Sequence, residues 1–446
     1  MLKEVLKKAK RPLVVSDFDG TISTRDISYE VLLRFSKGGW EDIDQAYVRG
    51  EIGSKEAFSL ILEKIPAKKS ELASYIEELA GIDPPVIDPH FKAFYDYLKA
   101  RKIDFIVLSD GFHFYIKTLL ERAGIDGASI FANDIGENPS GKLVPLFPHH
   151  NEECDRCGNC KTKVIKEFLK DHDYVIFIGD GYSDTCPSEL ADTLFAKRSL
   201  YQYAVRERIP CIHFRRFDDI LAEFEKDIRG VIFDLDGTLV ESLDAIKTAF
   251  VYTLETLHIE IDTEAAFKKL MHWPLTVSME KLFPDVNIET LIGVFRKKYY
   301  EIYKDMTPLK DGMKDILEGL KSSGVRLSVA TNKHGPYARE LIEHLEIADY
   351  FIIVVGAGDV EKPKPHPDMI EAACGNMGTD LSQTILIGDS LVDVETAKNA
   401  GIDAYALSES LDTPEELAEK RPKKLFFNTR ELSRELLSHK KDYMSP

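Results

Sequence analysis

Val14-Val15-Ser16-Asp17-Phe18-Asp19-Gly20-Thr21 decides the fold, because the chain writes it again as Ile232-Phe233-Asp234-Leu235-Asp236-Gly237-Thr238. Each copy is a run of apolar, largely β-branched residues (Leu13-Val14-Val15, then Val231-Ile232-Phe233) that ends abruptly in two carboxylates. That pattern predicts a buried parallel strand. In open α/β sheets ligands bind just beyond the carboxyl ends of strands. An Asp-x-Asp tip therefore suits a hard cation together with an anionic substrate. The glycine and threonine that follow suit a tight turn whose free N–H groups can hold phosphate oxygens.

Working outward, further landmarks recur in the same order. After the first motif comes a helical stretch, roughly 27–79, then strand Phe105-Ile106-Val107-Leu108 ending in Ser109-Asp110-Gly111. Lys161 opens a helix, and strand Tyr174-Val175-Ile176-Phe177-Ile178 ends in Gly179-Asp180, with Asp184 four residues on. The second half has a helical insert at about 242–303 and strand Arg326 to Ala330 ending in Thr331-Asn332-Lys333. Lys364 precedes a helix, and strand Thr384 to Ile387 ends in Gly388-Asp389, with Asp393 four residues on. Intervals between matching landmarks differ, so the copies share a plan but not loop lengths. Two α/β domains are expected, each a doubly wound parallel sheet with a helical cap inserted after its first strand. They span 1–226 (cap about 24–85) and 227–446 (cap about 242–305), with no Pro/Gly/Ser-rich linker at the join.

At 446 residues, two or more domains also follow from length. A 44% hydrophobic share with 30% charged residues is ordinary for a soluble protein. The net charge of −18 argues against nucleic acid or an anionic membrane as partner. Six cysteines, unevenly placed, are not a disulfide framework and read as reduced thiols of a cytoplasmic protein. The stretch Met1 to Lys8 reads as a short amphipathic helix without a signal-peptide core, and no run is long enough to span a bilayer.

Asp17, Asp19, Asp180 and Asp184 all fall at or just after strand tips, as do Asp234, Asp236, Asp389 and Asp393. Two carboxylates about 4 Å apart repel by roughly 4 kcal/mol at an effective dielectric near 20. Such a cluster calls for a cation, and an all-oxygen site with room for water and phosphate suits Mg²⁺, one per domain. One carboxylate can attack phosphorus to give an aspartyl-phosphate. The next, two residues on, can protonate the leaving group and later deprotonate water. A small hydroxyl residue (Ser109, Thr331) and a lysine (Lys161, Lys364) can bind the non-bridging oxygens.

On these motifs both halves resemble the haloacid-dehalogenase superfamily of Mg²⁺-dependent phosphatases. The resemblance implies the capped parallel-sheet fold and small phosphorylated metabolites as substrates. It makes Asp17 and Asp234 the nucleophiles and Asp19 and Asp236 the acid/bases, whose backbone carbonyls also ligate Mg²⁺. Asp180 and Asp389 become metal-bound carboxylates, supported through water by Asp184 and Asp393. Lys161-Thr162-Lys163-Val164-Ile165 resembles the phosphoserine-phosphatase type and favours Lys161 over Lys163. Lys364-Pro365-His366-Pro367 resembles the phosphoglycolate-phosphatase type and favours Lys364 over Lys362.

The halves differ in their relatives. Asp26, Trp40, Ser109-Asp110-Gly111-Phe112 and Gly179 through Pro187 make the N-terminal half resemble the methionine-salvage hydroxyketo-methylthiopentenyl-phosphate phosphatase group, near phosphoserine phosphatase. The C-terminal half resembles the phosphoglycolate-phosphatase and β-phosphoglucomutase branch. It departs at Met271-His272-Trp273-Pro274-Leu275, where family caps carry a substrate-facing loop. Trp273 and Trp40 read either as cap core or as substrate contacts. Cys154, Cys157 and Cys160, preceded by His149-His150, have ligand types that suit a structural Zn²⁺, or are plain or redox-active thiols. The expected function is a bifunctional phosphomonoester hydrolase. The alternatives are a phosphomutase or phosphotransferase in the C-terminal half, or a half that only binds.

Overall fold

A computed structural model describes residues 2–154, 156–270, 275–410 and 412–437. The chain divides into two compact units, residues 2–225 and 226–437. The Met271 to Pro274 stretch, singled out in the sequence, lies outside the described residues.

In the N-terminal unit the strands are β1 (Pro12–Ser16), β2 (Asp104–Phe112), β3 (Ser129–Glu137), β4 (Leu143–Leu146), β5 (Tyr174–Gly179), β6 (Thr193–Ala196) and β7 (Cys211–His213). They run in the order β7-β6-β5-β1-β2-β3-β4. Pairing is parallel from β7 to β3, and β4 is antiparallel to β3. Leu13, Val14 and Val15 are fully buried, as both faces of a helix-covered parallel sheet require. Register places the chemistry: Ser16 pairs with Val107 of β2 and Ile178 of β5. Asp17, Ser109 and Asp180 thereby emerge at three adjacent strand ends. β2 does not stop at Leu108 as its sequence suggests but runs on, with a register shift, to Phe112.

The helical insert is four helices, Ile27–Phe35, Glu41–Val48, Ser54–Leu62 and Lys69–Ala80, rather than one long run. Gly38, Gly39 and Gly50, all at positive φ, turn the chain where a continuous helix would need αR geometry. Asp26 caps the first by accepting the Tyr29 N–H. Trp40 is buried and meets Tyr29 edge-on at 5.3 Å, a packing role.

The C-terminal unit has β8 (Gly230–Phe233), β9 (Arg326–His334), β10 (Phe351–Ala357), β11 (Thr384–Gly388), β12 (Asp403–Leu407) and β13 (Lys424–Phe426), ordered β10-β9-β8-β11-β12-β13 and parallel throughout. Phe233 pairs with Val329 and with Ile387, so Asp234 sits between the ends of β9 and β11. The insert here comprises helices Leu243–Thr256, Thr263–Leu270, Leu275–Leu282 and Ile288–Ile302. Among the described residues no helix is long and apolar enough to cross a membrane.

Candidate active site

Each unit carries one constellation, built the same way. In the N-terminal unit Asp17 continues β1, its N–H donating to the Ile178 carbonyl at 2.9 Å. Asp17, Asp180 and Asp184 offer carboxylate oxygens that all lie within 4.8 Å of one another, and all three residues are buried. Lys161, at the start of helix Lys161–Phe168, donates to Asp17 Oδ1 at 2.8 Å, Asp184 Oδ1 at 2.6 Å and Ser183 Oγ at 3.1 Å. The second Asp184 oxygen accepts the Asp180 and Gly181 N–H groups at 3.0 and 3.1 Å. Thr21 Oγ1 donates to Asp180 Oδ1 at 2.9 Å, and Arg198 reaches the other Asp180 oxygen at 3.0 Å. Ser109 is buried, and its hydroxyl accepts the Gly111 N–H at 3.1 Å.

The C-terminal unit repeats the pattern. Asp234, Asp389 and Asp393 form the triad. Lys364 lies 2.8 Å from Asp234 and 2.6 Å from Asp393. Thr238 Oγ1 donates to Asp389 at 2.8 Å, and Ser390 contributes N–H and hydroxyl donors to Asp393. Asp234, Thr331, Lys364 and Asp389 share the wall of one cavity of about 420 Å³.

The Asp19 and Asp236 carboxylates stand apart from the triads and are held differently. Asp19 accepts the Ile27 N–H at 2.9 Å and a short hydrogen bond from the Tyr115 hydroxyl. Asp236 takes the Lys333 ammonium on both oxygens, at 2.8 and 2.9 Å, and that ammonium also donates to Tyr299 Oη at 2.5 Å. Tyr115, Asn159 and Arg198 escape sequence reasoning. Tyr115 looks like one more apolar residue of its helix. Asn159 donates to the Ser109 and Phe131 carbonyls at 2.7 and 2.8 Å from the cysteine-bearing loop before Lys161. The one usable signal is the Lys of Thr331-Asn332-Lys333, a cation two residues past a strand-tip hydroxyl.

Whether the residues suit Mg²⁺ can be tested on the metal-free geometry. The donors are oxygens throughout, which is what Mg²⁺ takes. Gly20 and Gly237 lie at φ +74° and +81°, and a Cβ on either would collide with a carboxylate oxygen, of Asp180 and of Asp389 respectively. Burial pushes the Asp17 carboxyl up to about 8, with Asp184 and Asp180 adding to it and Lys161 opposing. Asp234 is likewise pushed up to about 8 by burial, and Asp389 to about 6 by burial and Asp393. Burial opposes the Lys161 ammonium, but Asp17, Asp184 and Asp110 outweigh it and its pKa is raised. Three buried carboxylates outnumber the cations that meet them, Lys161 and Arg198 in one unit and Lys364 in the other, so the site fits a divalent cation.

That imbalance gives a pH signature. Native pKa values above the ordinary carboxylate value mean that the folded, metal-free protein keeps protons that the unfolded chain releases above about pH 4. The stability this contributes is lost as pH rises toward 8. A cation must also displace those protons. Chelator-treated protein should therefore gain more in Tm from Mg²⁺ at pH 8 than at pH 6. Thermal unfolding with and without Mg²⁺ across the range from about pH 5.5 to about pH 8.5 measures it, and an equal gain at every pH would contradict the assignment.

The three cysteines of the loop before Lys161 are arranged differently from the triads. Among the described residues only the two aspartate triads gather ligand atoms within 4.8 Å, and Cys154, Cys157 and Cys160 do not. Cys154 is exposed while Cys160 is buried at the mouth of helix Lys161–Phe168. His150 has both ring nitrogens engaged, one with the Cys157 carbonyl and one with Lys55 Nζ, each at 3.0 Å. The loop straps the insert. The Arg156 carbonyl accepts Lys55 N–H at 3.2 Å, its guanidinium donates to the Gly50 carbonyl at 2.7 Å, and Gly158 N–H donates to Ser54 Oγ at 3.0 Å.

Comparison with known proteins follows the same division. The family of haloacid dehalogenase-like hydrolases matches residues 231–407, and the family described as "Putative Phosphatase" matches residues 12–209. A phosphoglycolate phosphatase of Escherichia coli O157:H7 is 32% identical over 212 residues, 42% of this chain and 84% of that protein. One of Salmonella typhi is 31% identical over 221 residues, 44% of this chain and 88% of that protein. A solved haloacid dehalogenase-like family hydrolase from Streptococcus pneumoniae aligns with TM-score 0.43 and 28% identity, covering 46% of this chain and 96% of that one.

Proposed function

We propose that this chain, which belongs to the haloacid dehalogenase-like hydrolases and is a phosphatase, has two working sites. Each half, divided near residue 226 and capped by its own insert (about 24–85 and 242–305), hydrolyses its own small phosphomonoester with one Mg²⁺. The observation that carries the reading is the duplicated arrangement of a buried lysine bridging the motif aspartate and a second carboxylate, Lys161 on Asp17 and Asp184, Lys364 on Asp234 and Asp393.

The residues divide the work as follows. Asp17 or Asp234 bonds to phosphorus while the ester oxygen leaves, taking a proton from Asp19 or Asp236. The same second aspartate then removes a proton from the water that opens the aspartyl-phosphate and frees inorganic phosphate. Lys161 and Lys364, with Ser109 and Thr331, hold the non-bridging oxygens. Asp17 and Asp180, or Asp234 and Asp389, with the carbonyls of Asp19 and Asp236 and with Asp184 and Asp393 in support, would hold Mg²⁺, which would supply charge neutralisation for the phosphoryl group. The N-terminal likeness to methionine-salvage and phosphoserine phosphatases and the phosphoglycolate-phosphatase relatives direct the choice of substrates.

The test is phosphate release from phosphoserine, phosphoglycolate, pyridoxal phosphate, phosphoethanolamine, sugar phosphates and p-nitrophenyl phosphate, using protein freed of metal by chelation. Turnover should be absent until Mg²⁺ is added. No Mg²⁺-dependent release from any ester would overturn the reading.

A further inference from the structure

The C-terminal cavity holds far more than a two-carbon ester. Its volume of about 420 Å³ is room for about 14 waters at about 30 Å³ each. Beyond the aspartate and lysine floor the insert side of its wall is largely apolar, with Leu243, Ile246, Leu270, Leu275 and Phe295, while polar residues such as His334 and Asp412 line the rest. A small polar ester such as phosphoglycolate would leave that surface facing water. An apolar ring would cover it, and full burial of a phenyl-sized group corresponds to a factor of about ten to a hundred in affinity.

Charge adds a second requirement. Of the lining lysines and arginines, Lys364 is engaged by Asp234 and Asp393, and Lys333 by Asp236 and Tyr299. Arg296, exposed on the insert helix beside Phe295, lines the same cavity, and among the described residues its side chain has no hydrogen-bond or ion-pair partner. A guanidinium fork left open over a cavity matches a carboxylate or similar planar anion. We propose that the Asp234 site takes phosphomonoesters of a ring-bearing primary alcohol whose far end carries an anionic group met by Arg296. The proposal rests on the phosphatase reading of that half.

Its test uses the full chain with Asp17→Asn, so that turnover reports the C-terminal site, and the Asp17→Asn/Asp234→Asn double variant as blank. Ethyl, benzyl and 4-carboxybenzyl phosphate keep the leaving group a primary alcohol while adding first the ring and then the anion. kcat/KM should rise about tenfold or more from ethyl to benzyl and about tenfold again to 4-carboxybenzyl. Arg296→Gln should erase the second step and keep the first. The matching phosphonates, with a methylene in place of the ester oxygen, should bind in the same order by calorimetry, again with only the last step sensitive to Arg296→Gln. Asp234-dependent turnover with a flat or reversed order, or an Arg296→Gln loss equal for all three, overturns the substrate class and leaves the phosphatase reading intact. No Asp234-dependent turnover, with the phosphonate order and its Arg296 dependence preserved, overturns the hydrolase reading of this half and supports the ligand class. Phosphonates that bind without that order overturn it.

Discussion

Asp17→Asn and Asp234→Asn should each abolish one set of activities and spare the other. Every Mg²⁺-dependent ester in the panel should fall at least about a thousandfold in kcat in one of the two variants, since loss of a nucleophile removes the covalent route and not merely a contact. The swap is nearly isosteric, and the Asp17 and Asp234 N–H groups bond to Ile178 and Ile387 whatever the side chain is, so the strand tips should stay in place. Phosphate release from both variants across the panel measures it. If one variant lost everything and the other nothing, the two-site reading would fail for the silent half.

Asp19→Asn and Asp236→Asn should separate bond breaking from water attack. With alkyl esters, whose leaving oxygen needs a proton, kcat should fall about 10²- to 10⁴-fold, the usual span for a lost general acid. With p-nitrophenyl phosphate the leaving group departs unprotonated. The first step should survive and the second, which needs the base, should not. Stopped-flow should then show a burst of p-nitrophenolate near one equivalent per working site, followed by slow turnover. Equal losses for alkyl and nitrophenyl esters, without a burst, would remove both residues from proton transfer. The neighbours differ: Tyr115 faces Asp19 with a neutral hydroxyl, whereas Lys333 faces Asp236 with a charge. The second substitution would leave a buried ammonium without its counter-ion, so Asp236→Asn should also lower Tm more than Asp19→Asn.

The strand framework was readable because fully buried parallel strands are continuous apolar runs, and Leu13 to Val15 or Val231 to Phe233 leave no other reading. The acidic positions were readable for a related reason: a carboxylate that directly follows such a run is unlike anything a core needs. What supports them was not. Tyr115 occupies an apolar position of helix His113–Arg122, and nothing in its spacing distinguishes a ring that fills space from one whose hydroxyl reaches Asp19. Asn159 acts through carbonyls brought to it by β2 and β3, partners that exist only after folding. The antiparallel β4 is short and half-exposed, too weak a pattern to read. The cysteine spacing left metal and plain thiols both open, because ligand types along a chain say nothing of whether the loop turns them toward one point.

The strap formed by Arg156 and Gly158 on Gly50, Ser54 and Lys55 ends shortly before Lys161. Insert and Lys161 are therefore not separable cassettes in the N-terminal half. A chimera that grafts a foreign insert between β1 and β2 would leave 149–160 without its footing, and the error would surface as misplaced Lys161 chemistry rather than as altered substrate choice. A transplant that carries 149–160 along with 24–85 keeps both ends of the joint, and that pair is the smallest exchangeable part.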